Sequence, residues 1–505
     1  MWLLVALLFV TGCTTLPEVH DKPVVMALPS AQTGPLAVTA KNLAKGRKKS
    51  ESSMMLLESG REALDWRLAM VDSAVRSLDI QLYMWKGGAS GTLLLERVMQ
   101  AAERGVRVRI LVDYFLNSKD AGLASLSRYH PNLDVRIFNP TKIRGSSLAR
   151  LPSILANFEQ MNRRMHNKAF MADGCMAIVG GRNFADEYFG LAEDYNFLDL
   201  DVLVSGPVVS EVSMGFDEFW NSSQAYPGAM LSKKGSPEML RDARLHFREL
   251  LEGERDGKLR EFPIERRNWR RELATLDREM VEGTASFIQD EPEVHDDDRV
   301  LVGQLTRMAR EQKRELQLAT PYLIPSDRGI DRTRSMSDAG TRVGVLVPTL
   351  AASDHALVAG HYNKYRKRLL DAGVELYEFR GDPSEEIRSL ADTSPVRSER
   401  VTLHLKAVVG NRNHCFIGSL NLDPRAVKIN TESGMLIESP ELAGQLAELI
   451  DLYSNHENSW SVSRDDKGRV TWESRGETRK RKPKAKWTRR VGAWLGGLLP
   501  IKDQI

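Results

Sequence analysis

Cysteine and long apolar segments are scarce in this sequence. The 505 residues include three cysteines, Cys13, Cys175 and Cys415, which is too few for a disulfide framework in a chain of this length. Past the N-terminus, no segment has the apolar length of a membrane-spanning helix. The formal net charge is only +3, and no strong overall field favours nucleic acid as a partner. What remains is a chain with 42% apolar and 28% charged residues, a composition typical of a well-packed folded protein.

The N-terminus has the pattern of a secreted protein. A short apolar run from Trp2 to Val10 precedes Thr11-Gly12-Cys13, and it is too short to span a bilayer but suits a secretory signal. Small residues before a cysteine resemble a bacterial lipobox. We therefore expect residues 1–13 to be a lipoprotein signal peptide and Cys13 to be lipidated; an uncleaved signal anchor or an ordinary secretion signal is the alternative. Thr14 stands after the cysteine in place of Asp, which favours the outer membrane of the bacterial envelope, at its periplasmic face.

The order of predicted elements repeats about 235 residues along the chain, which indicates an internal duplication. Strands and helices alternate in both copies, a pattern typical of βαβ units. The predicted elements include strands over 133–138 and 374–379 and a single helix over 355–372, whose first residue, His355, is assigned no catalytic role. We predict two similar α/β/α lobes, over 54–226 and 300–455, whose mixed, largely parallel sheets are related by a pseudo-two-fold axis. Residues 14–53, rich in Pro, Ala and Lys, are expected to be a tether, and the charged residues 227–299 a solvated linker without chemistry.

One spaced motif occurs once in each predicted lobe. The first copy is His166-Asn167-Lys168, then Asp173, then Gly180-Gly181-Arg182-Asn183. The second copy is His404-Leu405-Lys406, then Asn411, then Gly418-Ser419-Leu420-Asn421. A single His-x-Lys carries almost no information, but identical spacing at matching points of a repeat makes coincidence negligible.

These residue types suit displacement at a phosphodiester, which needs a nucleophile, a proton donor for the leaving alcohol and donors for the phosphoryl oxygens. Imidazole supplies the first two near neutral pH. Alternation along a strand places each His and its Lys on one face, and pairing of the lobes gathers both pairs around one phosphate. Asn183 and Asn421 can add neutral donors. No acidic cluster or His/Cys ligand set accompanies the motif, so the sequence calls for no metal and no cofactor.

The duplicated motif resembles that of the phospholipase D superfamily, over about residues 55–455. The segments 180–189 and 421–425 are similar to the cardiolipin synthase C-type branch. The resemblance implies that His166 attacks phosphorus to form a phosphohistidine and that His404 moves the alcohol proton, although the two roles could be reversed. It also implies transfer of a phosphatidyl group to phosphatidylglycerol, with phosphatidylglycerol or phosphatidylethanolamine as the donor. We group Asp173 and Asn411 with the His-x-Lys pairs as candidate catalytic residues. Asn411 replaces the usual Asp, which puts local stability in question more than activity. Gly181 replaces a frequent Ser and is expected to leave room for a lipid headgroup.

Each catalytic imidazole also needs an acceptor at its far nitrogen. Alignment of the two lobes at Pro207 and Pro440 sets Asp199 opposite Glu432, and both are candidates for orienting carboxylates. The alternative for this pair is that both are acids at strand ends on the surface.

The C-terminal segment 456–505 is predicted to lie on an anionic membrane surface. A basic cluster over 479–490 adjoins an apolar stripe made of Trp487, Val491, Trp494, Leu495 and Leu498, a pattern typical of an interfacial helix; a solvated basic tail is the alternative.

Three functions remain open on the sequence. Phosphatidyl transfer is the first, and no protein partner is required for it. Hydrolysis of phospholipid or of nucleic acid by the same half-sites is the second. A catalytically inactive lipid-binding protein is the third, supported by Asn411 alone.

Overall fold

A computed structural model describes residues 22–113, 128, 130–140, 163–231, 236–293, 299–483 and 485–498. The predicted signal peptide, with Cys13, lies outside the described residues. Two α/β lobes follow one another along the chain and share a central interface. The fold confirms the expected pair of similar lobes.

The described part of the first lobe has one sheet of eight strands in the spatial order β9-β4-β3-β2-β5-β6-β8-β1. A ninth strand, β7, lies outside this sheet. The central β2, β3 and β4 are parallel, and antiparallel strands flank them. The strands are β1 Ser52–Leu57, β2 Ser77–Leu82, β3 Arg107–Asp113, β4 Leu133–Phe138, β5 Ala169–Ala172, β6 Met176–Gly180, β7 Tyr195–Leu198, β8 Asp201–Ser205 and β9 Ala225–Pro227. The helices are α1 Pro35–Leu43, α2 Gly60–Ser73, α3 Ala89–Glu103 and α4 Val208–Asn221, with a 3₁₀ turn at Asp186–Tyr188.

The second lobe repeats this order as β17-β16-β15-β11-β12-β13-β18, with β11, β12 and β13 parallel. Its strands are β11 Glu315–Ala319, β12 Arg342–Pro348, β13 Val374–Phe379, β14 Arg400–Leu403, β15 Ala407–Gly410, β16 His414–Gly418, β17 Ser433–Glu438, β18 Ser459–Arg464, β19 Val470–Ser474 and β20 Glu477–Arg479. Parallel pairing is thus found at the centre of each lobe, as the alternation of elements predicts, and hairpins extend it on both sides.

The segment between the lobes differs from the solvated linker expected over 227–299. Its described residues, 227–231, 236–293 and 299, contain four helices, α5 Gly228–Leu231, α6 Pro237–Gly253, α7 Arg270–Leu273 and α8 Leu276–Glu279, and the strand β10 Val281–Gln289. One end of β10 pairs with β1 and the other with β17, so β10 joins the two sheets into one. Leu259, Phe262 and Trp269 are buried against the first lobe. The sequence prediction was wrong here because it relied on the high charge of the segment. A charged segment can still pack against a lobe when one of its faces is apolar.

The predicted tether over 14–53 also differs from the structure in its described part. Residues 35–43 form α1, and Leu36 and Ala37 are buried in the first lobe's core. The backbone N–H of Ala31 donates to the carbonyl of Asp173 at 2.8 Å. The segment from residue 22 is therefore bound to the lobe, because its few apolar residues have a hydrophobic surface to cover.

The remaining helices lie in or after the second lobe. They are α9 Val300–Glu311, α10 Asp327–Asp338, α11 Ala356–Tyr362, α12 Arg366–Asp371, α13 Glu385–Ala391, α14 Pro424–Lys428, α15 Pro440–Ser454 and α16 Trp487–Leu498. The single helix predicted over 355–372 is broken into α11 and α12. At the break, Lys364 and Tyr365 donate to carbonyls three residues earlier, a tighter turn than the α-helix allows.

Three apolar cores hold the molecule together. One belongs to each lobe, and the third contains residues of both, including Phe216 and Trp220 from the first and Leu446 and Tyr453 from the second. Burial of so much apolar surface between the lobes fixes their relative position. The functional motifs face each other across this central core.

Candidate active site

Each His-x-Lys segment lies in extended chain at the start of a hairpin. His166 and Lys168 precede β5, and His404 and Lys406 stand between β14 and β15. All four side chains are buried, with His166 the most accessible at 9% exposure. Each lysine ammonium donates to the carbonyl of its own histidine, Lys168 at 2.7 Å and Lys406 at 2.5 Å. The two residue pairs are thus rigid units held beneath the surface.

The backbone of each His-x-Lys segment pairs with the opposite lobe. The N–H of His166 donates to Thr431 at 2.9 Å, and the N–H of His404 donates to Leu198 at 2.8 Å. The strand β14, which leads to His404, is parallel to β7 of the first lobe. The duplication therefore brings both motifs to one seam, as a pseudo-two-fold arrangement requires.

The two predicted orienting carboxylates act across the seam. Nδ1 of His166 lies 2.8 Å from Oε2 of Glu432, and Nδ1 of His404 lies 2.5 Å from Oδ2 of Asp199. Each lobe thus supplies the carboxylate for the other lobe's histidine. With Nδ1 held in this way, Nε2 is the ring atom that remains for chemistry. At His404 the Lys406 ammonium lies 2.8 Å from Nδ1 and 3.2 Å from Nε2.

Electrostatic coupling shows that the two half-sites form one centre. Burial holds the pKa of His166 well below its usual value, and the charges of Lys168, Lys406 and His404 lower it further. Burial also lowers the pKa of Lys168 to about 7, with Lys406 acting in the same direction and Glu432 opposing. A centre with this many mutually repelling cationic groups is suited to an anion, because a bound phosphodiester would offset their repulsion.

The two carboxylates differ in charge state although their positions are equivalent. Burial raises the pKa of Glu432 to about 8, against the opposing effects of Lys168 and the Ser419 hydroxyl. Burial acts upward on Asp199 too, but Lys406 and His404 together bring its pKa below the usual range. These shifts favour an ionised Asp199 and a protonated Glu432 at neutral pH.

Gly181 and Ser419 occupy equivalent places in the two copies, and each meets its carboxylate differently. The Ser419 hydroxyl donates to Glu432. A Cβ added at Gly181 would lie 2.1 Å from Oδ1 of Asp199, which is far inside van der Waals contact. The glycine makes room for the Asp199 carboxylate, and not for a lipid headgroup as its interpretation from the sequence had it.

The two predicted phosphate-binding amides are placed differently. Asn183 accepts from the N–H of Met84 at 3.2 Å and donates to the hydroxyl of Tyr188 at 3.0 Å. Asn421 keeps its Oδ1 without a hydrogen-bond partner among the described residues. The Asn183 amide thus uses its oxygen and one N–H in hydrogen bonds within the fold, and only its second N–H could donate to a phosphate.

The acidic position of the motif lies away from the centre, which corrects the grouping of Asp173 and Asn411 with the catalytic residues. Both stand at hairpin turns with left-handed φ, at 57° and 51°, a conformation that Asp and Asn tolerate well. The Asp173 carboxylate accepts from the N–H groups of Val75, Arg76 and Ser77. Asn411 Oδ1 accepts from Arg314 and Glu315 in the same manner. The replacement keeps the acceptor and the backbone conformation, so it gives no support to an inactive protein.

Asp354 belongs to the centre and was missed in the sequence. Its carboxylate accepts from the hydroxyl of Tyr322 at 2.6 Å, and it acts to raise the pKa of both His404 and Lys406. It follows β12, and side chains beyond the carboxyl ends of parallel strands commonly form sites. That position was the available signal. His355, interpreted from the sequence as an ordinary helix residue, stands next to it.

Aromatic rings enclose both histidines. Tyr83 meets His166 edge to face at 5.0 Å between ring centroids. Tyr188 meets His404 in the same way at 5.4 Å, and Phe197 lies 4.4 Å from His404. Low polarity around the rings strengthens the electrostatic contacts within the centre.

Within the described ranges, no group of three or more His, Cys, Asp or Glu side chains is arranged to hold a metal ion.

Duplicated α/β lobes that place two His-x-Lys units at one seam define a phospholipase D-like protein. A family model described as cardiolipin synthase, PLD-like domain, matches residues 68–220 and 305–452. Cardiolipin synthase C of Escherichia coli (strain K12) is 32% identical over 464 residues, covering 88% of this chain and 94% of that protein. The major cardiolipin synthase ClsA of Bacillus subtilis (strain 168) is 22% identical over 407 residues, covering 78% of this chain and 67% of that protein.

A solved structure supports the fold. Phosphatidylserine synthase of Haemophilus influenzae Rd KW20 matches with a TM-score of 0.55 at 14% identity, over 83% of this chain and 91% of that one. The chain belongs to the cardiolipin synthase family with phospholipase D-like domains. The predictions of this fold and of an enzyme of the phosphatidyltransferase class are confirmed at the level of the family.

Proposed function

We propose that this enzyme transfers a phosphatidyl group to a free hydroxyl of phosphatidylglycerol and so forms cardiolipin, by way of a phosphohistidine at His166. The observation that carries the proposal is the crossed pairing of His166 with Glu432 and of His404 with Asp199. It presents two oriented imidazoles to one anion-binding centre, as two-step displacement at phosphorus requires.

In the first step, Nε2 of His166 attacks the phosphorus of the donor lipid while its Nδ1–H donates to Glu432. The bond from phosphorus to the headgroup oxygen breaks, and His404 gives that oxygen its proton. Lys168 and Lys406 stabilise the charge on the phosphoryl oxygens.

In the second step, the acceptor hydroxyl loses its proton to Nε2 of His404 and its oxygen attacks the phosphohistidine. The phosphorus–nitrogen bond breaks and His166 recovers its lone pair. Every proton that His404 gives in the first step is thus recovered in the second.

The unequal carboxylates support this division of roles. Burial and Lys406 lower the pKa of His404, and Asp199 raises it against them. Asp199 thus favours the imidazolium that a proton carrier needs. His166 has its pKa held well below the ordinary value, which keeps the neutral form that a nucleophile needs. The reverse assignment would place the proton carrier beside the carboxylate with the raised pKa.

The proposal includes attachment to the periplasmic face of the outer membrane through lipidated Cys13 and α16. On α16, Trp487 and Trp494 are 72% and 65% exposed, while Ala493 is buried where the helix packs against α11. An aromatic outer face beside a basic segment suits an anionic lipid surface, where each Lys or Arg contributes about 1 kcal/mol. Along the stretches of chain that are described, no helix is long and apolar enough to cross a bilayer.

A lipid assay tests the reaction. The purified full chain, with chelator present, is incubated with phosphatidylglycerol vesicles and then with phosphatidylethanolamine added, and the lipids are separated. Cardiolipin that depends on His166 is expected. Phosphatidic acid in place of cardiolipin would show hydrolysis, and unchanged lipid would show an inactive binder.

Vesicle sedimentation tests the membrane surface. Replacing Trp487 and Trp494 by Ala should weaken binding to phosphatidylglycerol vesicles. Met214→Ala is the control, since Met214 is 54% exposed on α4 and should leave binding unchanged. Equal binding of all three proteins would contradict the assignment of α16.

A further inference from the structure

Two arginines beside the centre have no role in the mechanism above. Arg400 is the first residue of β14, the strand that ends just before His404. Arg489 lies in α16, and its Nε donates to the carbonyl of Leu350 at 3.1 Å. Arg400 Nε and Arg489 Nη2 are both buried and have no hydrogen-bond partner among the described residues. Buried guanidinium nitrogens without acceptors are costly, and such groups commonly await a ligand.

A continuous aromatic wall connects Arg400 to the catalytic histidine. The Arg400 guanidinium stacks 4.6 Å from the ring of Tyr195, Tyr195 lies 5.3 Å from Phe197, and Phe197 lies 4.4 Å from His404. Residues two and four apart along a strand face the same side. Arg400 and His404 therefore share one face, about 13 Å apart along the extended chain.

The two arginines also lie close to each other and to Asp354. Burial lowers the pKa of Arg489, the charge of Arg400 lowers it further, and Asp354 opposes them. Asp354 is in turn coupled to His404. Two like charges side by side indicate a place where a second anion is held, because an anion offsets both their repulsion and their desolvation.

We propose that Arg400 and Arg489 bind the phosphate of the accepting phosphatidylglycerol, while the free hydroxyl of the same lipid reaches His404. This inference rests on the proposed function and specifies its acceptor. Phosphatidylglycerol carries its own phosphodiester on the glycerol that supplies the attacking hydroxyl, so the acceptor presents an anion a short bridge away from the reacting oxygen. A glycerol bridge fits within the span between His404 and Arg400. Water and simple alcohols lack this anion, and the pair of arginines would favour the lipid over them.

A pair of matched acceptors tests the inference. The full chain is supplied with phosphatidylethanolamine vesicles as donor and either glycerol or glycerophosphoglycerol as acceptor, which differ in the phosphodiester. Wild type should prefer glycerophosphoglycerol. In the Arg400→Gln/Arg489→Gln protein, kcat/KM for glycerophosphoglycerol should fall about tenfold or more, the size expected for lost charge-assisted hydrogen bonds, with glycerol transfer unchanged within about twofold.

The controls separate binding from damage to the fold. Lysine at both positions keeps the charge and should retain part of the preference. Arg397→Gln removes an exposed arginine that pairs with Glu385 at 2.6 Å and should retain all of it. An equal loss on both acceptors, or an unchanged preference, would overturn the inference alone. A wild-type protein that transfers to neither acceptor but forms cardiolipin from phosphatidylglycerol would also overturn the inference alone. Failure of both reactions would overturn the proposed function and the inference with it.

Discussion

The two half-sites have the same backbone and different electrostatics. In both, an extended His-x-Lys segment pairs with the opposite lobe, and a carboxylate from that lobe meets Nδ1 of the histidine. Around His166 the carboxylate is Glu432, which accepts from Ser419 and has its pKa raised to about 8. Around His404 it is Asp199, which packs on Gly181 and has its pKa lowered.

This difference teaches how one duplicated unit comes to perform two tasks. Duplication supplies matched geometry, and the surroundings of each carboxylate then give it a different pKa. A proton carrier and a nucleophile need different environments although both are imidazoles. The crossed pairing also means that neither lobe holds a complete half-site by itself.

The largest effects should follow from replacing the histidines themselves. His166→Ala should abolish turnover and any trapped phosphoryl-enzyme. His404→Ala should lower phospholipid turnover by roughly 10²–10⁴-fold, the usual contribution of general acid–base catalysis. With a p-nitrophenyl phosphodiester, whose leaving group needs no proton, His404→Ala should still release p-nitrophenol. It should also accumulate enzyme labelled with the phosphoryl group after an alkaline denaturing quench, in which a phosphohistidine survives. A labelled enzyme in His166→Ala but not in His404→Ala would reverse the two roles.

The carboxylates should come next, with Asp199 the more important. Asp199→Asn removes the charge that stabilises the imidazolium and should lower kcat by up to about 10⁴-fold.

Glu432→Gln should lower kcat less, because an amide oxygen can still accept from Nδ1–H of His166. An ionised Glu432 accepts that proton more strongly than a neutral carboxyl does, so wild-type activity should rise with pH towards about 8, where the Glu432 pKa lies. The pH–rate profile of Glu432→Gln should therefore lack the rise towards pH 8. An unchanged rise in this variant would show that another group titrates there.

Ser419 should tune the pH profile without being essential. Its hydroxyl donates to Glu432 and favours the ionised carboxylate. Ser419→Ala should therefore raise the Glu432 pKa and move the rising limb about one pH unit to higher pH, the size of one charge-assisted hydrogen bond. Ser433→Ala is a matched control, since the neighbouring Ser433 hydroxyl has no partner among the described residues. Equal profiles for the two variants would contradict this role.

The smallest effects should come from the acidic position of the motif. Asp173→Asn replaces a carboxylate that accepts from backbone N–H groups by a neutral amide. The hydrogen bonds should weaken, and the free energy of unfolding should fall by about 1–2 kcal/mol. Asn411→Asp should be neutral or slightly stabilising. Neither should change kcat, and urea denaturation with parallel activity assays checks both. A large loss of kcat at unchanged stability would return these residues to the catalytic group.

The sequence was sufficient for features that local periodicity and repetition encode. Strands such as β4 and β13 were located from their apolar pattern, and the motif copies from identical spacing. The pair Asp199 and Glu432 was found because the repeat could be aligned. Which carboxylate serves which histidine was not predictable, since crossing between the lobes is a property of their packing.

Other features had no local signal. The strand β10 lies in a segment with many charged residues. Its partner strands are more than 140 residues away along the chain in both directions, as the pairs Ser52 with Gly283 and Gln289 with Ser433 show. Arg489 reaches the centre from the C-terminal helix, far from either motif. Such contacts depend on tertiary packing, which no window of sequence contains.

The most direct test of the account is the position of one bound oxyanion. Crystals of the protein soaked in tungstate, which mimics a phosphoryl group, should show a single ion with Nε2 of both His166 and His404 in contact with it. Each Nδ1 should remain on the carboxylate of the opposite lobe. Rings that touch separate ions, or that point into separate pockets, would contradict a shared centre and the mechanism built on it.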